Sequence, residues 1–477
     1  MTVSSLPGST SSDAVRSVVQ GDFPRTVADL SRLVATPSVA WPAFDPAHVH
    51  RSAEQVADLL RDLDVFESVI ISQAPADDSG NLGMPAVLAT RAARAGRPTV
   101  VLYAHHDVQP PGDDADWLSP PYEATVRDGR LYGRGAADDK AGIMAHIASI
   151  RALVDTVGGD FDLGLTVFIE GEEEAGSPSF AAFLEQHRAE LAGDVIVVAD
   201  SANWAVDVPA LTVSLRGNVT GTVEVRTLEH ASHSGMFGGA VPDALMAAAR
   251  LIASFHTDSG DVAIDGLSAG HCDAPDYPLD QLRAETGLLA DAIGSGSVPE
   301  KLWVKPAVTV TGVDAPTVAN ASNTLIPMVR FQVSVRTAPD QDPHDAAAAL
   351  RAHLARHAPF GAEVSLSDVD LGSGFLVDTS GWAVAEVKQA MADAWGVAPV
   401  EMGIGGSIPF IADLVRVFPA AQILVTGVED PDSRAHSPNE SLHLGVLLRA
   451  VLTETLLLVR LNDRVVAEGA PDVGEEA

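Results

Sequence analysis

The chain has one cysteine, Cys272, among 477 residues. No intramolecular disulfide is possible, which fits a reducing compartment. Basic residues are also scarce: 30 Lys and Arg stand against 65 Asp and Glu, for a formal charge of −35. Such a surface repels phosphate backbones and anionic lipid, so neither nucleic acid nor membrane is an expected partner. The acidity is read as serving solubility; it does not identify a substrate. No uninterrupted apolar run is long enough to span a bilayer. The nearest, Leu442 to Leu461, is broken by Arg449, Glu454 and Arg460 and reads as a buried amphipathic helix. The N-terminus lacks a basic region followed by an apolar run, so no signal peptide is expected and the cytoplasm is the default location.

What remains is a globular composition, 46% hydrophobic and 20% charged, in a chain long enough for two or three domains. Residues 1 to about 20 are rich in Ser, Gly and Thr and are expected to be mobile. Arg51 to Leu63 carries Val56, Leu59, Leu60 and Leu63 at helical spacing. Short apolar runs at Pro98–Tyr103, Gly164–Ile169 and Val195–Ala199 read as strands, and Gly142–Val157 as a helix between them. Strands alternating with helices predict an α/β fold, a mixed and mostly parallel sheet sandwiched by helices. After Pro209 the texture changes. Strand-like runs at Leu211–Leu215, Thr220–Val225, Ala307–Gly312 and Val329–Val335 surround helical stretches at Asp243–Phe255 and Asp345–His357. This predicts a smaller inserted α+β domain over residues 216–378, flanked by 1–215 and 379–477. An irregular insertion spans Asp261–Leu302, with a helical patch near Leu279–Ile293. From Trp382 the helix-then-strand pattern returns, with Ala383–Trp395 and then Ala421–Val425. The tail from Val465 is acidic and expected to fray.

Five segments offer metal-type ligands. They are A-H-H-D-V-Q-P from Ala104, G-R-G-A-A-D-D-K from Gly133, E-G-E-E-E-A-G-S from Glu170, V-V-A-D-S from Val197 and A-H-S-P-N-E from Ala435. Singly, each is unremarkable. His105 and Asp107 could be a capped strand end, Asp138 and Asp139 helix N-terminal carboxylates, the glutamates a solvated loop and His436 a surface histidine. Together they differ, because His105, Glu174 and Asp200 each follow a predicted strand, where open α/β sheets build their sites. Two converging histidines and three carboxylates could hold two divalent cations around one shared carboxylate. A further glutamate could act as general base. Crowded carboxylates repel one another and raise a pKa unless cations neutralise them, and a raised pKa suits a base near neutral pH.

The ordered set H-x-D-V-Q-P, G-R-G-x-x-D-x-K, E-G-x-E-E-A-G-S, S-H-S-G-x-F-G-G, G-G-S-I-P and A-H-S-x-N-E resembles the dinuclear zinc peptidase and amidohydrolase family. That family includes carnosinases, desuccinylases, aminoacylases and glutamate carboxypeptidases, and the carnosinase and cytosolic nonspecific dipeptidase branch matches best. The resemblance runs from about residue 25 to 460. It implies that His105 and Asp200 hold one metal, Glu174 and His436 the other, and Asp138 both. It assigns Asp107 to support His105 and Glu173 to act as general base on a water between the metals. It places a cis peptide at Asp138–Asp139. It makes the inserted domain a lid and dimerisation domain, whose His233 reaches the partner's site in a homodimer and steadies the oxyanion. Arg336 would bind the substrate carboxylate, Gly406 and Ser407 would frame it, and Thr324 would sit near substrate. Two positions depart from the pattern: Ala141 stands where many relatives have Gly, and the interval from Thr324 to Arg336 is one residue short.

The implied cofactors are two divalent ions, zinc first, with manganese or cobalt as alternatives. The implied reaction is hydrolysis of dipeptides and short peptides. An N-acyl amino-acid or other small-amide hydrolase is the alternative. A binding protein that has lost catalysis is disfavoured because every ligand and base position is filled. A calcium protein is disfavoured because no D-x-D-x-D-G loop occurs and histidine ligands suit softer ions.

Overall fold

The computed structural model describes residues 11–466 apart from 273 and 406–408. The chain divides into two compact units. One comprises residues 1–212, 378–401 and 413–477, the other residues 213–377 and 402–412. The sequence reading put 402–412 with the C-terminal segment; here they group with the second unit.

The first unit is built on a sheet in the order Ser68–Ser72, Ala86–Arg91, Gly164–Glu170, Thr99–His105, Val195–Val198 and Gln422–Val425. The last four strands run parallel, and the first two join antiparallel at one edge. Thr212 pairs antiparallel with Val425 at the other edge. The inner strands are buried along nearly their whole length, which is why they read as continuous apolar runs rather than alternating ones. Helix Lys140–Val157 packs against Thr99–His105, and helices Ser12–Val34 and Leu444–Asp463 pack on it in turn. It starts where the Asp139 side chain accepts from Gly142 N and stops at Gly158, whose φ of 89° a side chain would disfavour. The helix over Leu444–Asp463 has twelve buried residues; it is buried as expected, but Val451 to Val459 are buried without a break, so its middle turns have no exposed polar face. Among the described residues, no helix is long and apolar enough to cross a membrane.

The N-terminal expectation needs correction. Residues 12–34 form one helix, capped by Ser11, with Val15, Val19, Leu30 and Leu33 buried on one face. The Ser/Thr-rich composition concealed an apolar stripe whose early members are only two valines. Docking supplies what propensity does not. Arg151, nearly buried, donates to Asp22, Thr26 and Asp29 across the helix pair. The residues before 11 and after 466 lie outside those described.

The second unit holds a four-stranded antiparallel sheet in the order Ala307–Asp314, Met328–Thr337, Gly217–Arg226, Glu363–Gly372. Helices Ala244–Ala253 and Pro343–His357 pack on it over a core including Val219, Val223, Phe255, Phe331, Val333 and Leu350. The edge strand Glu363–Gly372 was not foreseen. Its two-residue alternation rests on Val364 and Leu366 and is broken by a bulge between Ser367 and Asp370. The expected helical patch near 279–293 is shorter, Leu279–Thr286, because Gly287 turns left-handed and ends it.

Candidate active site

Every ligand candidate of the first unit stands at or just beyond the carboxyl end of a parallel strand or on a loop beside one. His105 is the last residue of Thr99–His105 and is fully buried. Its Nε2 lies 3.1 Å from Asp138 Oδ1 and 4.0 Å from Asp200 Oδ1. Its Nδ1 faces Asp107, 3.3 Å from the carboxylate and 3.1 Å from the backbone carbonyl. The other oxygen of Asp138, Oδ2, is 2.9 Å from His436 Nε2, which is itself 3.3 Å from Glu174 Oε2. Asp138 therefore stands between two histidines, one oxygen toward each. The bond that follows it, Asp138–Asp139, is cis. His436 comes from the loop after Gln422–Val425 and holds a φ of 61°.

Two ligand groups result. His105, Asp138 and Glu174 place one ligand atom each within 4.8 Å of one another, as do His105, Asp139 and Asp200. The nitrogen and carboxylate donors suit zinc and its neighbours in the transition series. Glu174 Oε1 is buried without a hydrogen-bond partner, an orphan acceptor of the kind a cation satisfies.

The charge balance points the same way. Burial would push the His105 imidazole down, but Asp107 and Asp138 reverse this and hold it well above its ordinary range. Asp138 and Glu174 raise His436 to about 11. Burial resists ionisation of Asp138, yet the two histidines keep its carboxyl below the usual range. Burial lifts Asp200 to about 7 against the pull of His105. Burial also holds Glu173 well above the carboxylate range, and Asp200, Glu170 and Glu174 add to it.

The four glutamates divide into three tasks. Glu170 accepts the Tyr103 hydroxyl at 2.6 Å, and burial raises it to about 8. Glu172 ties the loop to Met84 N at 2.6 Å and to Ser179 N at 2.9 Å. Glu173 and Glu174 begin a short 3-10 turn whose backbone amides both donate to Asp107, each at 3.0 Å. Asp107 thus positions His105 and the two glutamates together; sequence reading foresaw only the first.

Sequence reading also missed residues inside the motifs it quoted. Glu440 accepts from the amides of Gly135, Ala137 and Asp138 at 2.9–3.1 Å and from Arg134 Nη1 at 2.6 Å. The A-H-S-P-N-E segment thereby clamps the loop that carries Asp138. Gly135 permits this through its φ of 77°, and a Cβ there would meet Val108 at 2.4 Å. Lys140 donates to the carbonyls of Leu33 and Thr36 and is lowered by burial to about 7, an anchor rather than a ligand. Gln109 donates to Glu174 Oε2 at 2.6 Å. Glu429, distant in every motif, has a buried and unpaired Oε1 and feels the charges of Asp138 and Asp200.

In the second unit, His233 pairs in register with Thr324 across a short antiparallel ribbon. Arg336 lies on Met328–Thr337 opposite Ala307 and Asn218. Gly406 and Ser407 lie outside the described residues.

A cluster of largely buried carboxylates with one buried and one exposed histidine, gathered beside parallel strand ends, defines a candidate metallohydrolase centre. The chain belongs to Peptidase family M20/M25/M40, whose profile matches residues 101–460. It is 35% identical over 352 residues to the cysteinylglycine-S-conjugate dipeptidase of Corynebacterium striatum, covering 72% of this chain and 77% of that protein. It is 26% identical over 463 residues to the Cys-Gly metallodipeptidase dug1 of Schizosaccharomyces pombe, covering 92% and 96%. The solved structure of human carnosine dipeptidase 1 shares the fold with a TM-score of 0.75 at 22% identity, covering 96% of this chain and all of that one.

Protonated histidines must release their protons to ligate a metal. Because neighbouring carboxylates raise the proton affinity of His105, and that of His436 to about 11, the metal-free chain carries more protons at pH 7 than the loaded one. We expect zinc binding to release roughly one or two protons per ion, and affinity to fall as pH drops. Calorimetry in buffers of different ionisation enthalpy measures this. Proton-neutral, pH-independent binding would contradict the ligand set.

Proposed function

We propose that the chain is a metal-dependent dipeptidase. The observation that carries this reading is Asp138 standing between His105 and His436, with Asp200 and Glu174 flanking and Glu173 beside them. The named dipeptidases among its relatives support the substrate class. His105 and Asp200 would hold one ion, His436 and Glu174 a second, and Asp138 both. Zinc is the proposed metal, and the cytoplasm the proposed location. The ions, when bound, supply Lewis acidity that brings the pKa of a water toward neutrality. Glu173 takes the proton of that water as it attacks the peptide carbonyl, then delivers it to the departing amine. Its raised affinity for a proton, from burial and its carboxylate neighbours, suits both halves of that exchange. Asp107 fixes the His105 tautomer through Nδ1 and holds the backbone of Glu173 in place.

The second unit is proposed as a lid and dimerisation domain, with Arg336 receiving the substrate α-carboxylate and Gly406 and Ser407 framing it. His233, with Thr324 opposite it, would reach the site of a second copy and donate to the oxyanion. Exposed apolar residues support a partner surface in this unit. Met246 and Phe360 line a groove of about 540 Å³, and exposed Met236 and Phe237 come just after His233-Ser234-Gly235.

Hydrolysis of a dipeptide panel beside N-acetyl amino acids, by chelated protein before and after adding zinc, manganese or cobalt, tests the reading. We expect metal-restored cleavage of the free-amine dipeptides. Cleavage of the N-acyl set alone would move the chain to the small-amide hydrolases. Glu173→Gln should retain metal by elemental analysis and lose about 10³-fold or more in kcat. An active variant removes Glu173 from the mechanism. His233→Ala should lose about 10²-fold in kcat with metal content unchanged, and wild-type turnover in that variant refutes the cross-dimer role.

A further inference from the structure

The second unit buries a cation that no anion among the described residues accompanies. Arg216 is 8% exposed and lies in the single-residue gap between Ala210–Leu215 and Gly217–Arg226. Its Nε donates to the Gly405 carbonyl at 3.2 Å, and its Nη1 to the carbonyls of Lys301 and Lys305 at 3.3 and 3.4 Å. Its backbone amide donates to the Ile404 carbonyl at 3.3 Å. Nη2 takes part in none of these bonds and lies beside Gly405, where a Cβ would come within 2.7 Å of it. Glycine at 405 is what lets the guanidinium come so close. Among the described residues no carboxylate pairs with Arg216, and the charge that acts on it is a second cation, Arg336. Register explains the proximity. Asn218 pairs with Arg336 and Gly217 with Thr337, so Arg216 stands one residue beyond the end of the ladder and two positions along from the rung of Arg336, a spacing that returns to the same face of the sheet. Burial, and then the Arg336 charge, lower Arg216 to about 10.

A buried charge without a counter-ion is expensive, and a like charge beside it adds to the cost. Carbonyl dipoles offset part of it. If the task were only to hold the end of helix Val298–Trp303 and the turn at Gly405, a neutral donor would do so at lower cost. A guanidinium whose Nη2 lies outside its carbonyl bonds, with a second cation acting on it, suits a carboxylate better than a neutral group.

We propose that Arg216 is a specificity-determining positioning residue: with Arg336 it forms a doubly cationic seat completed by the free α-carboxylate of the substrate's C-terminal residue. It acts in two ways. Its charge strengthens the seat, and its bond to the Gly405 carbonyl fixes the backbone there. The proposal rests on the reading that Arg336 receives that carboxylate.

The test compares the metal-loaded full chain with Arg216→Met, Arg216→Lys and Arg336→Met on one dipeptide as free acid and as C-terminal amide. Arg216→Met should raise KM for the acid about tenfold or more and leave the amide far less affected, so that the acid-over-amide preference collapses. Arg216→Lys should recover part of that preference, since it keeps the charge without the planar fork. Calorimetric Kd values for the uncleavable reduced-bond dipeptide, as acid and as amide, should show the same ratios. If Arg216→Met proves poorly folded by melting or metal content, Arg216→Lys carries the comparison. Equal losses on acid and amide in the Arg216 variants assign the residue to structure and overturn the proposal. A preference abolished by Arg336→Met but untouched at Arg216 overturns it while leaving Arg336 in place. A wild-type chain that does not prefer the acid overturns both.

Discussion

Too many carboxylates share too little space around Asp138, and the surrounding architecture answers that constraint. Asp138, Asp139, Asp200, Glu173 and Glu174 converge on two histidines in a setting where burial opposes every negative charge. In low dielectric such charges repel strongly, and without cations some must hold protons. The histidines offset part of the repulsion, and the orphaned Glu174 Oε1 shows that the compensation is incomplete. A fold that keeps this cluster together forgoes stability for a cation-binding potential.

Holding it requires a rigid frame, and the frame is made of hydrogen bonds from backbone amides to side chains far away in sequence. Asp107 receives the amides of Glu173 and Glu174, and Glu440 receives those of Gly135, Ala137 and Asp138. Arg134 neutralises Glu440 in a fully buried ion pair, whose value lies in geometry rather than net stability. Lys140 pins the following helix to the end of Ser12–Val34. The reacting groups thus sit on loops, but on loops whose backbones are held nearly as tightly as strands, which is what preorganised catalysis needs.

The second unit works by different means. Its sheet is antiparallel and single-faced, with helices covering the core side. In a chain of net charge −35 the overall field repels an anionic substrate group. Local cations would then have to supply the attraction, the part we propose for Arg336 and, two positions along from its rung, Arg216.

The order and type of the ligands were legible in the sequence because each follows a strand whose apolar run is recognisable by itself. His105, Glu174 and Asp200 could be placed at strand ends from period alone, and the strands at Thr99–His105, Gly164–Glu170 and Val195–Val198 came out within a residue or two. The helix at Ser12–Val34 and the edge strand at Glu363–Gly372 did not, because their apolar patterns are sparse and packing decides them. What each carboxylate does was decided only by the tertiary structure. Four glutamates within Glu170–Glu174 look alike in sequence, yet one meets Tyr103, one ties Met84 and Ser179, and two rest on Asp107. Glu440 and Asp138 meet across 302 positions, and Arg216 is held by carbonyls 85 and 189 positions away. Local sequence sets period, polarity and turn chemistry. Which polar group meets which is set by strand order and loop closure, and these are properties of the whole chain.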